Sequence, residues 1–111
     1  MTKIVYDRDD LSVRAEGHSG YGEAGSDIVC SSISAIMYAL GSYAVRMHGK
    51  EMLTKRPRVS YAPGDAEVSV EARGIYVREA RMAFDAMCSA LERLSREYPN
   101  HVKYEVIYEG I

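Results

Sequence analysis

A chain of 111 residues and 12.4 kDa, 47% of them apolar, is about one domain long and carries enough apolar side chain for a core of its own. Its 14 basic and 16 acidic side chains leave a formal charge of -2 and a pI near 5.9, without a block of about five like charges, so a phosphate-binding surface is not expected. Its uninterrupted apolar runs fall short of the ~18 residues of a membrane span and the start MTKIVYDRDD is unlike a secretory leader, so the expectation is a soluble cytoplasmic protein with Cys30 and Cys88 as free thiols.

Residues 3–7 (KIVYD) and 11–17 (LSVRAEG) alternate with period two around the turn-like RDD, which predicts a first hairpin. The chain then enters a glycine-rich loop. From 27 to 47 the period changes: Val29, Ile33, Ile36, Met37, Leu40, Ala44 and Met47 fall on one helical stripe. Gly49 is placed to stop this helix, with Arg46, His48 and Lys50 near the negative end of its dipole. RVSYA and AEVSVEARG alternate around the turn PGD at 63–65 and predict a second hairpin, with Val68, Val70 and Ala72 on one side. A second helix is predicted over 77–97, with Ala80, Phe84, Met87, Cys88, Leu91, Leu94 and Tyr98 on its stripe and Pro99 and Asn100 ending it. HVKYEVIYE reads as a last strand. The order ββαββαβ predicts one α+β domain, a two-layer sandwich of a mixed sheet and two amphipathic helices.

The stretch GHSGYGEAGSDIVCSS carries the candidate chemistry. With Ser26 or Asp27 as N-cap, Cys30 enters the first helical turn, where backbone N–H groups and the dipole favour an anion and hence a thiolate. On the helical wheel it sits at the margin of the apolar stripe, so complete burial is not required. His18 closes the second strand, and the loop between can fold back to bring its imidazole toward the helix start. A thiol and an imidazole suffice for acyl transfer, with backbone N–H groups around Cys30 as candidates for the developing oxyanion. Gly20, Gly22 and Gly25 permit close approach to a peptide or movement of a flap. Asp27 caps the helix before it does anything else, with orientation of His18 as an added role, and Ser34 lies one turn beyond Cys30. Cys88, among Phe84, Met87 and Leu91, reads as a small core residue. Tyr21, Tyr38 and Tyr43 are candidates for a peptide groove or a subunit interface, and ordinary packing explains them equally well.

GHSGYGEAGSDIVCSSISAI resembles the signature of the ribosomal-processing cysteine protease family, Prp. In that family a Gly-His pair is followed, after a glycine-containing loop, by G-x-D-I-V-C and a run of small residues ending in serine. Gly17-His18, Gly25-Ser26-Asp27-Ile28-Val29-Cys30 and Ser34 match it, and YPNHVKYEV at 98–106 is similar to the family's closing segment. The resemblance implies Cys30 as nucleophile, His18 as general base and acid, Asp27 and Ser34 in support, and Gly17, Ser19, Gly20, Gly22 and Gly25 in a loop that orders over substrate. It implies an apolar groove beside Cys30 and a homodimer. The implied substrate is the N-terminal extension of a large-subunit ribosomal protein, the twenty-seventh of the L series, with no cofactor and no nucleic-acid or membrane partner. Two departures stand out: Ser31-Ser32-Ile33-Ser34 follows the cysteine where Ala-Ala-Val-Ser is commoner, and Ser19 replaces an alanine.

Three other readings use the same residues. His18, Cys30, His48 and His101 lack the close-spaced pairs of a structural zinc site, so no metal is expected. A non-catalytic module could use the glycine loop as a clamp for a ribosomal protein or peptide, and would survive loss of the thiol. A redox thiol at Cys30 would lack a resolving cysteine nearby in sequence.

Overall fold

The computed structural model describes residues 1–23 and 25–108. The two hairpins and two helices fall in the expected order: β1 (Thr2–Asp7), β2 (Ser12–Glu16), α1 (Ile28–Gly49), β3 (Arg58–Ala62), β4 (Asp65–Ser69), α2 (Val77–Glu97) and β5 (Val102–Ile107), with a 3-10 turn at Gly74–Tyr76 leading into α2. The strands form one 5-stranded mixed sheet in the order β3-β4-β2-β1-β5, antiparallel except where β5 lies parallel to β1.

Period-two alternation decides which face of each strand is covered. Ile4 and Tyr6 on β1, Val13 and Ala15 on β2 and Val68 on β4 point to the helices, with Ile4 opposite Ala15, Tyr6 opposite Val13 and Val13 opposite Val68. Against them α1 buries Val29, Ile33, Met37, Leu40, Ala44 and Met47, and α2 buries Ala80, Phe84, Cys88 and Leu91. All belong to one core. Ile36, Met87, Leu94 and Tyr98, placed on the same stripes by sequence, pack at its margin. Cα extents of 43 × 30 × 16 Å fit a sheet with helices on one face.

The end of α1 departs from the sequence reading. Gly49 stays helical, and the left-handed residue is Glu51, at φ 58°. Glu51 N–H donates to the His48 carbonyl and Met52 N–H to the Met47 carbonyl, which satisfies the last carbonyls in a Schellman arrangement, and Met52 is buried beside it. By length and composition α1 is apolar enough to cross a bilayer, although no single run of its residues is. Its buried stripe instead forms part of the core between sheet and α2.

On β1 the Tyr6 hydroxyl donates to Asp85 Oδ1 at 2.8 Å, and the Arg8 guanidinium pairs with the same carboxylate through Nε and Nη2, at 3.0 Å each to Oδ1 and Oδ2. Burial pushes Asp85 up, but the hydrogen bonds from Arg8 and Tyr6 and the charges of Arg8 and Arg81 outweigh it and hold the carboxyl below its ordinary range. This clamp ties the end of β1 to α2.

Candidate active site

Asp27 is the N-cap of α1. Its Oδ1 accepts from the backbone N–H groups of Val29 and Cys30, at 2.9 Å each. Its Oδ2 faces the other way and accepts from the Ser19 hydroxyl at 2.6 Å, Gly22 N–H at 3.0 Å and Tyr21 N–H at 3.1 Å. One carboxylate thus caps the helix and gathers the glycine loop onto it. The Ser19 hydroxyl and the N–H groups of Cys30, Gly22 and Val29 hold Asp27 far below the usual carboxylate range, against the opposing effect of burial. Both oxygens are spent in this way, so Asp27 orders the loop and the helix start, and no hydrogen bond links it to His18 among the described residues.

Cys30 lies in the first turn of α1, half-buried as the wheel suggests. Its Sγ accepts from Ser19 N–H at 3.4 Å and lies 3.4 Å from Ser19 Oγ. The first-turn N–H groups of Val29 and Cys30 serve the Asp27 carboxylate, and that of Ser31 the Asp27 carbonyl at 3.0 Å, so these three backbone donors near Cys30 are engaged in the resting site.

His18 is exposed, at the mouth of the cavity that Cys30 also lines. Its ring rests on the β3–β4 turn, where a Cβ added to Gly64 would stand 2.8 Å from Nε2. Gly17 N–H donates to the Gly64 carbonyl at 2.8 Å, and Thr2 Oγ1 donates to the Gly17 carbonyl at 3.1 Å, so the backbone before His18 is fixed between β1 and this turn. Gly17, at φ +90°, has no room for a side chain, since a Cβ there would meet the Met1 carbonyl oxygen at 2.5 Å. No hydrogen bond joins His18 to Cys30 among the described residues. The two share the cavity without touching through one.

That cavity, about 760 Å³, runs between α1 and the β3–β4 turn. Gly17, Gly20, Gly22 and Gly25 edge it, Ser34 lines it one turn beyond Cys30, and Ile33, Met37, Tyr38, Tyr61 and Pro63 give it an apolar wall. Tyr61 reaches across from β3 into a notch over Gly41, its hydroxyl donating to the Met37 carbonyl at 3.3 Å and its ring edge-on to Tyr38 at 4.8 Å. Tyr43 is placed differently, packed against the core away from the cavity.

Two features escape sequence reasoning. His101 Nδ1 donates to the Ser19 carbonyl at 2.9 Å, which fixes its tautomer, and Tyr21 packs edge-on against both His101 and Tyr98, at 5.3 Å each. Residues 82 positions apart are brought together because β5 enters parallel to β1. Tyr61 was likewise invisible, since its strand gives no sign of which helix it faces. Cys88 is 1% exposed, and burial pushes its thiol up to about 12, with a hydrogen bond to Tyr104 opposing. Among the described residues no group of three His, Cys, Asp or Glu side chains converges as a metal site.

The family model for cysteine protease Prp matches residues 1–103. A ribosomal processing cysteine protease Prp from Staphylococcus aureus is 23% identical over 88 residues, covering 79% of this chain and 78% of that one. One from Bacillus subtilis is 24% identical over 101 residues, covering 88% and 87%. The S. aureus protease solved with a covalently linked product peptide superposes with a TM-score of 0.69 at 22% identity, over 96% of this chain and 97% of that one. SMU.848 from Streptococcus mutans superposes at 0.66 and 20% identity, over 97% and 93%. With a family match that runs from the first strand into the last and takes in the whole loop from Gly17 to Cys30, this chain belongs to the cysteine protease Prp family.

Proposed function

We propose that this protein is a cysteine endopeptidase that removes a short N-terminal extension from a large-subunit ribosomal protein, the twenty-seventh of the L series. The observation that carries the reading is the placing of Cys30 and His18 on one apolar-walled cavity, with the thiol at the start of a capped helix. The S. aureus relative has been solved with a substrate peptide, and its fold matches this chain at a TM-score of 0.64 and 21% identity, over 96% of this chain and 97% of that one. A peptide laid between α1 and the β3–β4 turn would set an apolar or aromatic side chain against Met37, Tyr38 and Tyr61 and its next carbonyl near Cys30.

In the reaction His18 takes the thiol proton as Sγ attacks the carbonyl carbon, then returns it to the leaving amine as the C–N bond breaks and a thioester remains. Water, deprotonated by the same imidazole, cleaves the thioester and restores the thiol. With substrate bound, His18 reaches Cys30 by turning its side chain, while its backbone keeps its place beside the Gly64 turn. The same reading carries a cytoplasmic homodimer that needs no cofactor, nucleic acid or membrane. Exposed Val45 on the outer side of α1 would suit a second copy.

The test is cleavage of a peptide spanning that extension, with fragments identified by mass. Wild type is expected to make one cut, and Cys30→Ala, Cys30→Ser and His18→Ala each to lose roughly 10³-fold or more of the rate while remaining folded. Binding without cutting, retained in Cys30→Ala, would replace the peptidase with a clamp.

A further inference from the structure

Ser19 is 1% exposed, and every polar atom it has is engaged. Its N–H points at Cys30 Sγ, its carbonyl receives His101 Nδ1–H, and its hydroxyl stands between Asp27 Oδ2 at 2.6 Å and Cys30 Sγ at 3.4 Å, with Tyr21 N–H at 3.3 Å. The hydrogens can be assigned by counting. A contact of 2.6 Å to a carboxylate requires that the hydroxyl donate there. Its lone pairs then accept from Tyr21 N–H and from the Cys30 S–H. In the resting site Ser19 therefore receives the thiol proton.

Once Cys30 loses that proton, a serine lone pair would face a sulfur anion, which is repulsive. Asp27 can release the hydroxyl, because four backbone N–H groups, those of Val29, Cys30, Tyr21 and Gly22, still serve its two oxygens. We propose that Ser19 is a positioning residue for the nucleophile: its hydroxyl turns from Asp27 to Cys30 on ionisation, so that the thiolate is held by both the N–H and the O–H of one residue. This deepens the peptidase reading and rests on it. In the step the S–H bond breaks and its proton passes to the His18 imidazole, or to solvent when no substrate is bound. Ser19 keeps its own proton, and only its torsion changes. His101 contributes by fixing the Ser19 carbonyl, so that N–H and hydroxyl aim at the sulfur together.

The charged and titratable groups that face this thiol are Asp27 from α1, His18 from the loop, His101 through the Ser19 carbonyl, and Asp65 from β4 across the cavity, itself paired with Arg14. Ser19→Ala leaves each of these groups in place, takes one of the five hydrogen bonds from Asp27 and keeps the backbone donor to the thiol. The experiment is the rate of Cys30 alkylation by iodoacetamide against pH, followed by peptide mass in the wild type, Ser19→Ala and Ser19→Thr. The midpoint is expected to rise by about one pH unit in Ser19→Ala, a tenfold loss of thiolate at fixed pH below it, and to return toward wild type in Ser19→Thr. An unchanged or lowered midpoint in folded Ser19→Ala overturns the assignment. If that variant does not fold, the wild type decides by nuclear magnetic resonance. The Ser19 amide and Cβ shifts should titrate with the alkylation midpoint and lose that transition in Cys30→Ala, and shifts that ignore Cys30 overturn the proposal. Alkylation needs no peptide substrate, so a shifted midpoint in a protein that cuts nothing would retain the Ser19 assignment and sink the peptidase reading.

Discussion

Asp27 joins two jobs that sequence could only half separate. Capping of α1 was readable, because the acceptor and the N–H groups it serves lie two and three residues apart, and Cys30 followed into the first turn. Its hold on Ser19, Tyr21 and Gly22 depends on a loop path that no local rule fixes. Asp27→Ala should lower Tm by roughly 5 °C and loosen the loop as well, seen as faster amide exchange at residues 19–22. Since the carboxyls of Asp27 and Asp85 lie lower in the folded than in the unfolded chain, their stabilisation is full above about pH 4 and is lost as pH falls below it. Thermal melts from pH 7 to pH 3 should therefore show a falling Tm at the acid end, and Asp27→Asn should flatten that slope without steepening anything at neutral pH. The thiols differ in the same local way. Ellman's reagent should titrate Cys30 readily in the native protein and Cys88 only after denaturation, because the latter is sealed in the core.

At the level of elements, periodicity was most informative where a stripe ran long and ended on a hard stop. The second helix begins and ends at 77 and 97 as predicted, since Pro99 cannot continue it. The first overran its expected end because a glycine permits termination without requiring it, and Glu51 took the left-handed position. Turns and edges carry functional weight that their sequences did not advertise. The β3–β4 turn supports the His18 ring, so Gly64→Ala, strained at φ +72° and crowding Nε2, should displace the imidazole. Fluorogenic peptide assays should show kcat/KM down by about 10²-fold for a loss of stability near 1 kcal/mol, separating the imidazole's position from the fold. Gly41 faces the opposite demand. A methyl there would run into the Tyr61 hydroxyl and approach Val59 at 3.0 Å, and overpacking of about 1–3 kcal/mol should exceed the ~1 kcal/mol that alanine gains over glycine in a helix. Urea unfolding of Gly41→Ala should show an earlier midpoint.

For the whole molecule, the α+β class and element order were legible, and strand neighbours were not. Alternation says which side of a strand is apolar and nothing about which strand lies beside it, so the parallel entry of β5 next to β1 had to be seen. That one pairing assembles the site, because it carries His101 to Ser19 and Tyr98 to Tyr21. It also sets the start of β1 and the end of β5 at opposite poles of the sheet. Thr2 pairs with Val102 and Asp7 with Ile107, so β5 leaves about 20 Å from where β1 enters. Met1 abuts Gly17, directly before His18, whereas Tyr108 lies under Arg8 at the far pole. An affinity handle fused ahead of Met1 would start beside Gly17 and the loop that carries His18, whereas the chain leaves β5 at the pole away from that loop. Purification design thus becomes an assay variable: turnover measured on amino-terminally tagged protein should rise when the tag is cut away, and the carboxyl-terminal version should be indifferent to the same treatment.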